Sequence, residues 1–151
     1  MPKAKVYLDT TVPSAYFDAR ALERQELTRE FWAERLPNFE VMISGVVLDE
    51  IRATPDVVTR EGMETLVRGF IVLRLSPEAD ELAQEYLQRG IFPEKYATDA
   101  SHVAIAVTNR VHYLISWNYR HLVKVNTRRE VNLVNALKGY EPIEIITPPE
   151  L

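Results

Sequence analysis

The chain has 151 residues, 46% of them hydrophobic, with 22 acidic against 18 basic side chains and a formal net charge of -4. That is room for one domain with a proper core, and with a pI near 5.4 it excludes a global positive field, so any nucleic-acid binding has to come from a local patch or from metal ions. Cysteine is absent, which excludes disulfides, thiolate catalysis and cysteine metal sites. No apolar run approaches the roughly 18 residues of a membrane span, and the N-terminus lacks the long apolar stretch of a secretory signal, so a single soluble, cytoplasmic domain over residues 1–151 is expected.

Short β-branched or aromatic runs stand at 5–8, 39–44, 71–75, 112–116 and 142–147, separated by segments of helical period. The alternation predicts an α/β fold with a central, mostly parallel sheet and helices on both faces. The first run ends on Asp9, followed by Thr10 and Thr11. Residues 21–36 carry Leu22, Leu27, Phe31 and Leu36 among charges and end before Pro37, the pattern of a surface helix. With Phe31 and Trp32 that stretch is either a partner or dimer surface or ordinary packing on the sheet. The second run ends on Ser44, and a helix begins near Gly45 with Glu50 about one and a half turns in. Thr54 before Pro55 and Ser76 before Pro77 predict helix starts near 55 and 77, and the capping box from Thr127 to Glu130 predicts one near 128. Residues 87–96 read as a break between helices. Asp99 opens the apolar helix DASHVAIAVTN, which leads into the strand HYLIS and then Ser116 and Asn118. The five glycines are scattered, so a glycine-rich phosphate loop is excluded.

In an open α/β sheet, ligands bind outside the carboxyl ends of the strands. Asp9, Ser44, Glu50, Asp99, Ser116 and Asn118 all fall on that edge. Each acid also has a plainer explanation: Asp9 as a turn residue, Glu50 as a solvated side chain, Asp99 as a helix N-terminal acid. Glu50 has Val46 and Val47 one turn back, whereas Asp49 looks toward Arg52, so Glu50 is expected to face apolar surroundings. Two carboxylates about 4 Å apart repel by about 4 kcal/mol at an effective dielectric near 20, so three together require a cation. No Lys or Arg lies within five residues downstream of Asp9, and none precedes Glu50 within its strand or helix start. An all-oxygen set without cysteine or a histidine pair selects Mg²⁺ or Mn²⁺.

The aspartate-threonine pair after the first strand, the SGVVLDE stretch with Ser44 and Glu50, the TDASHVAIA helix start with Asp99 and the ISWNYRHL segment together resemble the PIN-domain nucleases, in that family's order over nearly the whole chain. Within the family, the size and lack of appendages resemble the VapC-type toxins of type II toxin-antitoxin systems. The resemblance implies a three-layer α/β/α PIN-like fold and a Mg²⁺- or Mn²⁺-dependent endoribonuclease, with RNA as substrate, a cognate antitoxin as partner and a homodimer as its assembly. Carried over by position, Asp9, Glu50 and Asp99 are the metal ligands, and Asn118 completes the catalytic set. Thr10, Ser44 and Ser116 support the acids or touch phosphate. Asn118 departs from the aspartate of many relatives and brings no charge; Thr11 and Pro13 stand where longer aliphatic residues are usual.

Arg120, His121, Lys124, Arg128 and Arg129 follow the strand that bears Asn118, with Trp117 and Tyr119 as aromatic faces, and form the candidate RNA-facing edge. Its counterpart reading is a solvated helix start with a packed aromatic pair. His102 reads as a partly buried, hydrogen-bonded histidine rather than a ligand or base. The rival classes are a haloacid-dehalogenase-type phosphotransferase, which fails because Thr11 occupies the position of its second aspartate, and a catalytically silent PIN-fold module that binds RNA or protein.

Overall fold

The structure, a computed structural model, describes residues 2–151. Five parallel strands, β1 (Lys5–Leu8), β2 (Glu40–Ser44), β3 (Ile71–Leu73), β4 (Tyr113–Ile115) and β5 (Glu144–Ile146), form one sheet in the order β3-β2-β1-β4-β5. Central strands of a parallel sheet are covered on both faces, so they need continuous apolar runs. Val6, Tyr7 and Leu8 are accordingly all buried, while Ile71 and Val72 on the edge strand β3 are exposed. The order reverses at β1, whose neighbours are β2 on one side and β4 on the other, and such a switch point opens a crevice at the carboxyl ends of those strands.

Seven α-helices connect the strands: α1 (Thr11–Tyr16), α2 (Leu22–Glu34), α3 (Gly45–Arg52), α4 (Val57–Val67), α5 (Pro77–Gln88), α6 (Ala97–Thr108) and α7 (Val125–Lys138). α1 packs on α2 and α4, and α3 on α4, while α5 packs on α6 and is tied to α7 by Tyr86 and Asn135. Right-handed crossovers place these two groups on opposite faces, which gives three layers. Gly62 of α4 lets the ring of Phe17 approach so closely that a Cβ there would stand 2.8 Å from it. α7 ends on Gly139 at φ 82°, the left-handed position that favours glycine.

Three helix starts differ from the expectation. Ser76 does cap α5, accepting from Ala79 N. α4, however, begins at Val57, because Asp56 accepts from Thr59 N at 2.9 Å and outcompetes Thr54, whose hydroxyl instead donates to Glu50 O. α7 begins at Val125, so Thr127 lies inside it, with its hydroxyl bound to His121 O; the expected capping box is not formed there. α6 starts at Ala97, two residues before Asp99. In α2, Phe31 is buried and Trp32 packs between Tyr16 and Phe70, with ring centroids 5.7 and 5.8 Å away, so both aromatic residues serve ordinary packing. Among the described residues no helix is long and apolar enough to cross a membrane.

Candidate active site at the carboxyl edge of the sheet

β1 runs straight into the site. Asp9 N donates to Ile115 O at 3.2 Å, extending the β1–β4 pairing by one step, and Asp9 O accepts from Val12 N as α1 begins. The side chain is thereby held inside the crevice at 2% exposure. Its Oδ1 accepts from Thr11 N at 3.0 Å and from the Thr11 hydroxyl, and Oδ2 accepts from the Ser116 hydroxyl. Burial pushes the Asp9 carboxyl up to about 6, with Asp99 adding to the rise and His102, Ser116 and Thr11 opposing it.

Ser44 caps α3, its oxygen accepting from Val47 N, and this fixes the helix that carries Glu50. Being fully buried and bonded to Tyr7 Oη at 2.7 Å, Ser44 supports the site from below and cannot touch phosphate. Glu50 does not face apolar surroundings as expected; it is 41% exposed and its Oε1 is gripped by Thr10 Oγ1 at 2.7 Å and His102 Nε2 at 2.8 Å. Asp49 forms the surface pair with Arg52 at 3.1 Å. Burial raises the Glu50 carboxyl, but the His102 imidazole and the Thr10 hydroxyl outweigh it, and the net shift is downward.

His102 is buried and hydrogen-bonded, as its sequence context indicates, yet it stands within the site. Tyr7 Oη lies 2.6 Å from its Nδ1. With a neutral imidazole the directions follow from the acceptor-only carboxylate: Nε2–H donates to Glu50, Tyr7 donates to Nδ1, and Ser44 donates to Tyr7. Burial drives the Tyr7 hydroxyl well above the ordinary tyrosine range, which keeps it a donor.

Asp99 is raised by burial and by Glu50, against His102 and a hydrogen bond from Asn118. That bond, Asn118 Nδ2 to Asp99 Oδ2, is long at 3.5 Å. Asn118 Oδ1 accepts from Arg120 N and His121 N at 3.1 and 3.0 Å, so the amide oxygen holds the turn and it is the NH₂ that faces the acids. A role for that oxygen toward a metal-bound water does not fit this orientation.

The three acids thus meet at one edge, and the only basic group paired with any of them among the described residues is His102. Their donor chemistry fits a hard divalent cation: all oxygen, negative in excess, and with Asp9 and Asp99 raised by uncompensated burial. Among the described residues, no three His, Asp or Glu side chains stand in a finished ligating cluster. The fit is therefore one of charge and donor type.

The five basic candidates differ in exposure and contacts. Arg120, Lys124 and Arg129 are exposed, His121 stacks on Tyr96 with centroids 4.0 Å apart, and Arg128 Nη1 donates to Ile145 O at 3.3 Å. Tyr7 and Thr11 are the site residues that sequence reasoning missed. A tyrosine at the centre of a two-sided strand is itself a signal, since its buried hydroxyl needs a partner.

No family model matches this sequence, and neither does any curated protein. Solved structures do match. The Mycobacterium tuberculosis VapC20 structure, described as a sarcin-ricin loop cleaving toxin, is 18% identical with a TM-score of 0.60 over 92% of this chain and 98% of its own. VapBC-1 from nontypeable Haemophilus influenzae gives 14% identity and a TM-score of 0.62 over 96% and 98%. VapBC2 from Rickettsia felis, bound to a promoter DNA fragment, gives 12% and 0.58 over 95% and 98%. What the chain shares with them is the α/β PIN-like fold along almost its full length.

Proposed function

Proceeding from that shared fold, we propose that this protein is a metal-dependent endoribonuclease, the toxin of a type II toxin-antitoxin pair, and that Asp9, Glu50 and Asp99 hold Mg²⁺ or Mn²⁺. The observation that carries the reading is the meeting of three carboxylates at the switch point of the sheet with no Lys or Arg paired to them among the described residues. A bound ion there would supply Lewis-acid polarisation of the phosphodiester and a more acidic water. The chain's own residues do the positioning. Thr10 and His102 grip Glu50 through Oε1, so that Oε2 carries no protein hydrogen bond among the described residues. Thr11 and Ser116 fix both oxygens of Asp9, and Asn118 steadies Asp99. An antitoxin protein as partner belongs to the same proposal, because two of the similar structures are named VapBC; a homodimeric assembly rests on the family resemblance alone.

The test is cleavage of a mixed RNA pool by wild type and Asp99→Asn, with and without Mn²⁺. Cleavage that needs both Mn²⁺ and Asp99 is the expected result. Activity surviving chelation and the substitution removes the mechanism. The lack of a finished three-ligand cluster favours the second reading, a silent PIN-fold module; acid-dependent Mn²⁺ binding in a titration decides against it.

A further inference from the structure

A groove of about 460 Å³ runs between the first turns of α2 and the turn that follows β4, lined among others by Leu22, Glu23, Arg24, Leu27, Trp117 and Tyr119, so that one carboxylate and one guanidinium stand at its rim. Trp117 forms a rigid wall. It is buried, its indole Nε1–H donates to Thr28 Oγ1 at 2.9 Å, and its backbone N–H donates to Thr11 Oγ1 at 2.9 Å. That same Thr11 hydroxyl donates to Asp9, so one residue fastens the groove to the candidate active site. Tyr119 is 53% exposed and Leu22 is exposed beside it, a flat ring and an aliphatic side chain left open to water. The Arg24 guanidinium lies 5.2 Å from the Trp117 ring centroid and 6.0 Å from that of Tyr119, and among the described residues it forms no ion pair.

We infer that this groove is a nucleobase subsite that takes one unpaired base of single-stranded RNA next to the scissile phosphate. Tyr119 offers a stacking face and Arg24 a second planar face that can also meet the adjoining phosphate. The occupant follows from the chemistry of the walls. An aliphatic chain has no use for a guanidinium already stacked on indole, and a lone anion has no use for the open phenol ring. A nucleotide presents a π-face and a negative charge about one residue apart. In a duplex the faces are covered by stacking on neighbouring base pairs, so a duplex is excluded from the groove. The inference rests on the nuclease reading for its location and not for its detection.

The probe is a single-stranded U12 RNA, with binding followed through Trp117 fluorescence in a Trp32→Phe background, alongside cleavage of the same strand with Mn²⁺. The expected results are saturable quenching, a loss of affinity of roughly tenfold to a hundredfold in Tyr119→Ala and in Arg24→Ala, retention in Tyr119→Phe, and loss in Tyr119→Leu, which keeps apolar area without a ring. A U12 strand with abasic positions should bind wild type as weakly as U12 binds Tyr119→Ala. Equal binding of abasic and intact strands, equal binding of a duplex, or unchanged affinity in both variants overturns the subsite. Strand binding in the groove without Asp99-dependent cleavage keeps the subsite and removes the nuclease. Asp99-dependent cleavage without any base requirement does the reverse.

Discussion

Between α5, α7 and the approach to β5 lies a buried polar cluster made wholly of neutral groups, whereas the cluster at the carboxyl edge of β1 and β4 is built around carboxylates. In the neutral one, Tyr86 Oη donates to Asn135 Oδ1, Asn135 Nδ2 to Asn132 Oδ1 at 3.4 Å, Asn132 Nδ2 to Ile143 O at 2.9 Å, and Ile143 N back to Asn132 Oδ1 at 2.8 Å. Each of these donors finds an acceptor, and Asn132 and Ile143 bond each other in both directions. At the carboxyl edge, every hydroxyl is likewise satisfied, but negative charge is left over, with Asp9 and Asp99 both pushed toward protonation. Burial and hydrogen bonding are common to both clusters. What separates a site from a structural network is charge that the protein has not balanced.

Asp9→Asn tests that distinction with the largest effect. The amide keeps the acceptor that Thr11 needs, and Ser116 can turn its proton toward Thr11 Oγ1 at 3.3 Å. The fold should survive while Mn²⁺-dependent RNA cleavage falls by about 10²-fold or more, the scale of losing one group that acts on developing charge. A rate within threefold of wild type, in a variant with unchanged circular dichroism, would place the carboxyl edge in the same class as the neutral cluster.

The same substitution should act on stability in the opposite direction. A carboxyl near 3.8 in the unfolded chain and at about 6 in the folded one binds its proton more tightly when folded. Its contribution is therefore most favourable below pH 4 and is lost as pH rises toward 6. For the metal-free protein the difference amounts to about 3 kcal/mol above pH 6, at roughly 1.4 kcal/mol per pH unit. Asp99, also raised, adds to the Asp9 trend, and Glu50, held below its usual range, contributes with the opposite sign and fades as pH falls, so the wild-type curve mixes all three. Subtracting urea-unfolding curves of Asp9→Asn from wild type between pH 4 and 7 isolates the Asp9 part. The variant should gain on wild type as pH rises, and a difference that is flat across this range would mean that the buried charge is already balanced.

His102→Ala comes next. It frees Glu50 Oε1 from one of its two grips and leaves Tyr7 bonded only to Ser44. Partners of this kind typically contribute tenfold to a hundredfold in metal affinity, so Mn²⁺ binding followed by electron paramagnetic resonance should weaken by about that factor. His102→Gln, which retains an amide donor on a longer arm, should recover part of it. Loss of thermal stability with unaltered Mn²⁺ affinity would assign His102 to packing alone.

The architecture was legible because its signals are local and redundant. Five apolar runs and the Ser76 cap before Pro77 fix the sheet and the start of α5. The placement of Asp9, Glu50 and Asp99 on one edge was legible because strand ends and helix starts in a parallel sheet share that edge. What could not be read was the choice among competing caps. Asp56 displaces Thr54, and α7 starts at Val125 ahead of a sound capping box, because both depend on how the preceding loop is anchored. The second layer of the site escaped for a related reason. Tyr7 reaches Ser44 across 37 residues, Thr11 reaches Ser116 across 105 besides its bond to nearby Asp9, and His102, legible only as a buried hydrogen-bonded histidine, reaches Glu50 across 52; no periodicity encodes such pairings.

Tyr86→Phe carries the smallest effect and completes the contrast from the neutral side. The ring and its edge-on contact with Phe92, at 6.2 Å between centroids, remain, so only the hydroxyl is removed. Asn135 Oδ1 then loses its donor in a buried setting, which costs about 1–3 kcal/mol. Because the cluster carries no charge, that loss should be the same at pH 5 and pH 7 in urea unfolding, unlike the Asp9 difference. Cleavage per folded molecule should stay within twofold of wild type, since the tyrosine and its partners lie on α5 and α7 and hydrogen-bond to none of the acids. A pH-dependent loss, or a fall in cleavage beyond the unfolded fraction, would show that the two clusters communicate and that charge balance alone does not divide them.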